Sequence, residues 1–139
     1  MSRIRGRDTR PELLVRKGLH ALGFRYRLHD KRLPGRPDLV FPRFGAVILV
    51  NGCFWHGHDC HLFRLPATRR GFWQQKIESN RVRDARNLRL LEDAGWRVLV
   101  VWECALKGKE RLPVELVISR ISEWLTGGGE SCEVRGSLQ

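Results

Sequence analysis

Two short runs of apolar residues constrain the fold of this chain most. They span Ala46–Val50 and Arg97–Trp102, and apart from Arg97 every residue in them is apolar. Continuous apolar runs of this length are typical of strands that are buried on both faces of a sheet. The sequence between them, Trp73–Ala94, has the apolar spacing of a long amphipathic helix, and Gly95 suits its end.

Shorter patterns predict the remaining elements. Thr9 can cap a first helix while Glu12 reaches back towards the free amides, and Pro113 suits the first position of a last helix. The predicted elements are, in order, a helix at Pro11–Leu22, an edge strand at Phe24–Leu28, strands at Leu39–Phe41 and Ala46–Val50, a helix at Trp73–Ala94, a strand at Arg97–Trp102 and a helix from Pro113.

This order of elements predicts an α/β sandwich in which helices flank a mixed central sheet. The strands at 39–41 and 46–50 are expected at the centre of that sheet, and the chain of 139 residues has the length of one domain. We expect the domain to cover residues 1–126 and the C-terminal tail, residues 127–139, to be disordered.

The net charge indicates a polyanionic partner. Lys and Arg number 26 against 15 Asp and Glu, which gives a formal charge of +11. Arginine is abundant, and its guanidinium group contacts phosphates and base edges with two hydrogen bonds at once, which favours nucleic acid. A basic protein without such a partner remains the alternative, because charge alone does not identify a substrate.

No apolar run approaches the roughly 20 residues of a membrane span, and the basic N-terminus lacks the apolar core of a signal peptide. We therefore expect a cytosolic protein. In that reducing compartment cysteines are more plausible as thiols or metal ligands than as disulfides. The chain has four, at Cys53, Cys60, Cys104 and Cys132.

The segment Asn51–His61 contains two cysteines and three histidines. A structural zinc site needs four nitrogen or sulfur ligands. Cys53, His58 and Cys60 could supply three of them, and Cys104, just after a predicted buried strand, could supply the fourth. The spacing is not one of the common paired-cysteine patterns, so ordinary thiols with solvated histidines remain the alternative.

A second group of polar residues lies where two predicted strands begin and end. Asp38 precedes the strand at 39–41, while Val50 and His56 end or follow the strand at 46–50. A Mg²⁺ ion held by a carboxylate and a backbone carbonyl, next to an imidazole that can take a proton from water, is sufficient for phosphodiester hydrolysis. Alternatively, Asp38 only caps a turn.

Residues 51–71, after the strand at 46–50, show no period and are predicted to form a long loop, and aromatic side chains occur among arginines in or beside this loop. Phe54, Trp55, Phe72 and Trp73 show no regular period, and Arg64, Arg69 and Arg70 lie near them in the sequence. Such aromatics could stack on bases or wedge open a base step. Packing of the loop onto the protein body is the alternative, above all for Trp73.

Several sequence blocks occur together in one order: Leu-Pro-Gly-Arg-Pro-Asp38, Gly52-Cys-Phe-Trp-His56, Pro66-Ala-Thr-Arg69, Phe72-Trp73 and the segment from Gly95 to Leu106. In these blocks the chain, from about Met1 to Leu125, resembles the very short patch repair (Vsr) endonucleases. The resemblance implies a fold akin to type II restriction endonucleases. It also implies cleavage of the strand beside the thymine of a T:G mismatch.

The resemblance further implies roles for individual residues. Asp38 and the carbonyl of Val50 would bind the catalytic Mg²⁺, and His56 would act as the acid and base that activates water. Asn51 stands where a histidine assists catalysis in the best-known members of the family. The other implied sets are Glu12 and Asp84 as supporting acids, Cys53, His58, Cys60 and Cys104 as zinc ligands, Phe54, Trp55 and Trp73 as a wedge, and Arg36 and Arg69 as DNA contacts.

We therefore expect a Mg²⁺-dependent nicking endonuclease with a structural Zn²⁺. Its expected partner is double-stranded DNA with a T:G mismatch, possible further partners are other DNA repair proteins, and the expected state is a monomer in the bacterial cytosol near the nucleoid. Two alternatives remain open: a restriction-type or structure-specific nuclease, and a zinc-stabilised DNA-binding module without catalysis.

Overall fold

The structure, a computed structural model, describes residues 8–137. Residues 1–7, where the segment that resembles the Vsr family begins, and residues 138–139 of the predicted tail lie outside this range. The elements are α1 (Arg10–Ala21), β1 (Arg27–Leu28), β2 (Leu39–Phe41), β3 (Ala46–Asn51), α2 (Arg70–Asp93), β4 (Arg97–Trp102), α3 (Val114–Gly127) and β5 (Cys132–Val134), with short 3₁₀ turns at Pro42–Phe44 and Glu103–Ala105.

The five strands form one mixed sheet in the order β1-β2-β3-β4-β5. β1, β2 and β3 are antiparallel neighbours, whereas β4 runs parallel to β3 and β5 runs parallel to β4. The prediction that the strands at 39–41 and 46–50 are interior is confirmed, since each has a neighbour on both sides. The α/β sandwich with a mixed sheet is also confirmed.

Alternate residues of the central strands belong to two different cores. Ala46 and Ile48 pack with α1 and α3 on one face of the sheet, whereas Val47 packs with Leu91 of α2 on the other. Helices therefore cover both faces, as the continuous apolar run of β3 predicts. α1 and α3 also contact each other directly.

The predicted disordered tail is wrong where β5 forms. Cys132 and Val134 pair with Leu99 and Val101 of β4, and Val134 is buried. β5 supplies hydrogen-bond partners to the backbone groups on the outer edge of β4, which would otherwise lack them. A strand of three residues is too short to show a recognisable alternation of apolar and polar residues, so the sequence does not predict it. The extent of the domain, residues 1–126, stays a prediction.

Other differences concern the ends of elements. β1 is an edge strand as predicted but covers two residues rather than five, and α2 begins at Arg70 rather than at Trp73. Arg69 precedes α2 in a left-handed conformation, with φ of 54°, and no periodic pattern predicts such a helix start. Within residues 8–137 no helix is both long enough and apolar enough to cross a membrane.

Candidate active site and metal centre

The candidate site lies where several elements end at one side of the sheet. β3 and β4 are parallel, so Asn51 and Trp102 end them at the same side. β2 runs antiparallel to β3, and Asp38, just before β2, therefore lies at that side too. A cavity of about 680 Å³ opens here, and we call it the strand-end cavity. Its lining includes Glu12, Val50, Asn51, Phe54, Trp55 and His56.

Asp38 is a largely buried carboxyl group at this side. Its Oδ2 accepts a hydrogen bond from the amide of Val50 at 2.7 Å, and its side chain is 13% exposed. The pKa of Asp38 is raised to about 7, mainly because the side chain is buried and also because the carboxyl group of Glu12 lies close to it. A buried carboxylate close to a second one is a suitable environment for a divalent cation, which would offset both negative charges. The site therefore fits a hard cation.

Glu12 lies at the start of α1 and is 1% exposed. Thr9 caps this helix, because its hydroxyl accepts from the Glu12 amide at 3.4 Å. The Glu12 side chain reaches back beyond the cap, and its Oε1 accepts from the amide of Asp8 at 2.9 Å. Its Oε2 lies 3.3 Å from Arg16 Nη1. The predicted helix start is thus also one wall of the strand-end cavity.

His56 pairs with Asp84, which lies in the middle of α2. His56 Nδ1 and Asp84 Oδ2 are 2.5 Å apart, and both side chains are partly exposed. A carboxylate oxygen accepts at Nδ1, so the other ring nitrogen, Nε2, is the one that can accept a proton. The structure thus places Glu12 and His56 on the lining of one cavity, with Asp38 hydrogen-bonded to Val50 of that lining and Asp84 paired with His56. The sequence distributes these residues over more than 70 positions.

Asn51 is the last residue of β3 and pairs with Trp102 of β4. It lines the strand-end cavity beside Val50 and His56. Its neutral amide can orient a neighbouring group by hydrogen bonding but cannot act as a proton carrier.

Cys53, His58, Cys60 and Cys104 form a compact cluster, in which the four ligand atoms all lie within 4.8 Å of one another. His58 Nδ1 is 3.6 Å from Cys53 Sγ and 3.7 Å from Cys104 Sγ. The structure thus brings together the four residues that the sequence analysis named. The donor set of three sulfurs and one nitrogen fits a tetrahedral zinc ion.

The surroundings of this cluster also suit metal-bound thiolates. The amide of Cys104 donates to Cys53 Sγ, and the amide of Gly136 donates to Cys104 Sγ, each at 3.3 Å. Such N–H donors commonly stabilise sulfur ligands of metals. Burial raises the pKa of both the Cys53 and the Cys104 thiol. A cation is therefore the group that would hold them as thiolates.

The ring of Trp102 connects the two sites. It stacks on the imidazole of His58, with ring centres 3.9 Å apart and planes 10° apart, and its centre lies 6.2 Å from that of His56. Glu103, the next residue, accepts from the Cys53 amide through Oε1 at 3.0 Å. The end of β4 thus supports both the metal cluster and the loop that carries His56.

The aromatic residues of the loop and of α2 pack against one another. Ring centres are 5.6 Å apart for Phe54 and Trp73 and 5.7 Å apart for Trp55 and Trp73. These three side chains are partly exposed, whereas Phe72 is 45% exposed. Both interpretations of the sequence therefore apply. Phe54 and Trp55 pack on Trp73 of α2 and also line the strand-end cavity.

Basic side chains surround the site. Lys76 and Arg83 line the strand-end cavity, and Arg36 lines an adjoining cavity together with His56 and Asp84. Arg69 lies at the start of α2, where its guanidinium carbon is 4.2 Å from the centre of the Phe72 ring. Both predicted DNA-contacting arginines are exposed.

Two further residues near the site, His29 and Asn80, were not predicted from the sequence. His29 follows an edge strand, and no motif or period marks it. Asn80 is 4% exposed, and its amide donates to the carbonyl of Trp55 at 2.8 Å. A signal for Asn80 existed, because it follows Trp73 and Ile77 at helical spacing on the inward stripe of α2. A buried amide on an apolar stripe usually has a partner.

Comparison with known proteins gives the family. The family model described as DNA mismatch endonuclease Vsr matches residues 1–62. The chain is 46% identical to the DNA mismatch endonuclease Vsr of Escherichia coli, over 96% of this chain and 86% of that protein. It is 50% identical to the type II nicking enzyme V.XorIIP of Xanthomonas oryzae pv. oryzae, over 84% of this chain and 85% of the relative.

A third relative, the type II nicking enzyme V.NmeAIP of Neisseria meningitidis serogroup A, is 47% identical over 78% of each chain. Identities of this size over most of both chains leave no room for a different fold or family. The chain belongs to the family of Vsr DNA mismatch endonucleases.

Proposed function

We propose that this protein is a Mg²⁺-dependent endonuclease that nicks one strand of duplex DNA at a T:G mismatch. The observation that carries the proposal is the strand-end cavity, whose lining includes Glu12, Val50 and His56 and where the Asp38 carboxylate accepts a hydrogen bond from the Val50 amide. Family membership supports a DNA endonuclease. We also propose that Mg²⁺ serves the cleavage, that Zn²⁺ serves the structure, and that the protein acts as a monomer.

Asp38 and the carbonyl of Val50 would hold the Mg²⁺ ion. When bound there, the ion would stabilise negative charge that develops on the scissile phosphate. His56 would take a proton from the attacking water through Nε2, because its Nδ1 is engaged by Asp84. A bond would form between the water oxygen and phosphorus while one P–O ester bond breaks. The leaving oxygen would take a proton from solvent water, and His56 would release the proton it accepted to solvent.

The remaining predicted residues would bind and hold DNA. Lys76, Arg83 and Arg36 lie around the strand-end cavity and its neighbour, where they would contact phosphates. Phe54, Trp55 and Trp73 would enter the base stack, for which a mismatched step costs less energy than a paired one. Cys53, His58, Cys60 and Cys104 would hold a structural Zn²⁺ that fixes the loop carrying His56.

The test compares cleavage of two labelled duplexes that differ only in a T:G or a T:A pair, in the presence of Mg²⁺. We expect nicking of the T:G duplex and none of its paired counterpart. Asp38→Asn should lower the nicking rate by at least about 100-fold while DNA binding persists. Asp93→Asn, at the exposed end of α2, is the matched control and should leave the rate unchanged.

Other outcomes would contradict the proposal in distinct ways. Equal cleavage of both duplexes would indicate a restriction-type or structure-specific nuclease. Binding without cleavage would indicate a DNA-binding module. In the same assay Trp55→Ala should reduce the preference for the mismatched duplex, and an unchanged preference would argue against the wedge.

A further inference from the structure

His29 occupies an unusual backbone position beside the site. It follows β1, and its φ is 48°, in the left-handed region that few residues other than glycine adopt. The amide of His29 donates to the carbonyl of Asp38 at 3.1 Å, so the two residues are tied through their backbones. Residues held in such conformations cluster at functional sites, because the surrounding structure must offset their cost.

The left-handed conformation accompanies a side chain that lies between two carboxyl groups. His29 Nε2 is 2.7 Å from Glu12 Oε2 and 4.0 Å from Asp38 Oδ1. The imidazole is 11% exposed, and Glu12 is 1% exposed. Since a carboxylate oxygen accepts, Nε2 carries the hydrogen that points at Glu12.

Three donors contact the Glu12 carboxylate and determine its orientation. Oε1 accepts from the amide of Asp8, and Oε2 is close to both Arg16 and His29. The His29 contact is the shorter of the two at Oε2, 2.7 Å against 3.3 Å for Arg16. It is also the contact that comes from the side on which Asp38 lies, because Nε2 is close to Asp38 as well.

We propose that His29 is a positioning residue, whose Nε2–H fixes the Glu12 carboxylate beside Asp38 so that both serve one divalent cation. The inference rests on the proposed function, because it assigns that cation to Asp38. The physical reason is preorganisation: two neighbouring carboxylates repel each other, and a donor between them holds them together before a cation arrives. Donors of this kind outside the ligand set tune metal affinity.

A matched pair of variants isolates the donor. His29→Leu and His29→Gln both place a residue with a Cβ in the same left-handed conformation, so they share its backbone cost. Only glutamine keeps an N–H group that can reach Glu12. His20→Leu, at an exposed histidine of α1, is the control for loss of an imidazole elsewhere.

The first measurement is the affinity of the zinc-loaded chain for Mn²⁺, by calorimetry or electron paramagnetic resonance, without DNA. We expect His29→Leu to weaken Mn²⁺ binding about tenfold, and His29→Gln to stay within about threefold of the unaltered chain. The second measurement is nicking of the T:G duplex. At low Mg²⁺ the leucine variant should lower kcat about 10- to 100-fold with little change in KM, and saturating Mg²⁺ should restore part of the rate.

A purely structural role for His29 would give a different pattern. His29→Leu and His29→Gln would then lower the melting temperature equally and would bind Mn²⁺ with equal affinity. That result, or a leucine variant that binds Mn²⁺ normally, would overturn the proposal. If the unaltered chain fails to nick any duplex while the order of Mn²⁺ affinities holds, the proposed function fails and the positioning role is supported.

Discussion

Asp38 and Glu12 place two acidic side chains in a region from which water is largely excluded. The cost of burying a charge is met at Glu12 by three donors, the Asp8 amide, Arg16 and His29. Asp38 has the amide of Val50, and its raised pKa reports that its negative charge is only partly compensated. At the scale of single residues, a cation bound beside these two carboxyl groups would therefore lower the free energy of the folded chain.

The cysteine residues allow a sharp prediction at the same scale. Cys104→Ser removes one of four ligands and should lower zinc affinity by about 100-fold or more. Cys132→Ser is the matched control, because this thiol is exposed on β5 and lies outside the four-residue cluster. Metal content after dialysis against a chelator measures the difference.

The Cys104 variant should also melt at a lower temperature than the Cys132 variant, since metal binding contributes to folding. Equal metal content in the two variants would remove Cys104 from the ligand set. Loss of metal from the Cys132 variant would place the ion elsewhere.

At the scale of elements, β5 and the residues after it contact the candidate zinc cluster of Cys53, His58, Cys60 and Cys104 from the outside. Gly136 donates to Cys104 Sγ, Arg135 pairs with Asp59 in the loop at 3.0 Å, and Glu133 accepts from the indole of Trp102 at 2.6 Å. The segment therefore connects the edge of the sheet with the loop and with the end of β4. These contacts explain how so long a loop can hold the side chains of the cluster in fixed positions.

Gly136 gives the prediction for this element. A Cβ there would lie 2.6 Å from the carbonyl oxygen of Cys104 and 2.9 Å from that of Glu110, and backbone atoms cannot move away as a flexible side chain can. Gly136→Ala should therefore lower the free energy of unfolding by about 1–3 kcal/mol and speed release of the metal to a coloured chelator.

Gly127→Ala is the matched control for this change. A Cβ at Gly127 would meet nothing within 4 Å, and the residue ends α3. Urea denaturation should find it neutral or stabilised by up to about 1 kcal/mol. A Gly136 variant as stable as the Gly127 variant would show that the segment after β5 does not support the cluster.

At the scale of the whole molecule, the formal charge of +11 acts together with a cavity lined partly by cations. Contacts from lysine and arginine to phosphates release counterions from DNA, so they make affinity depend on salt. They do not distinguish a mismatch from a pair, because every base pair presents the same phosphates. In the proposed function, discrimination would come from the aromatic residues Phe54, Trp55 and Trp73 and from the deformability of the mismatched step.

We therefore expect the affinities for T:G and paired duplexes to fall with salt at the same slope. If six to ten phosphates are contacted, affinity should fall by about 10³ to 10⁵ between 50 mM and 200 mM salt. Fluorescence anisotropy with the Asp38→Asn variant, which should bind without cutting, measures both slopes. Slopes that differ between the duplexes would mean that the mismatch changes the phosphate contacts.

Local sequence patterns were sufficient for much of the fold. The apolar runs of β3 and β4 predict buried strands at the right residues. Apolar residues also recur at helical spacing after Pro113, and three of them, Val117, Ile118 and Ile121, lie in the core. The restriction-endonuclease-like sandwich that the resemblance implies is confirmed. These features depend on burial of neighbouring apolar residues, which a period in the sequence reports directly.

The sequence by itself determined which residue types were available for chemistry, and it indicated the candidate acids, the candidate imidazole and the four residues of the candidate zinc cluster. Only the tertiary structure decided that β5 pairs with the edge of β4, that His29 contacts Glu12, and that Trp102 stacks on His58 and lies near His56. Each of these contacts joins residues distant in the chain. Their geometry depends on how whole elements pack, and no local period or short motif encodes that packing.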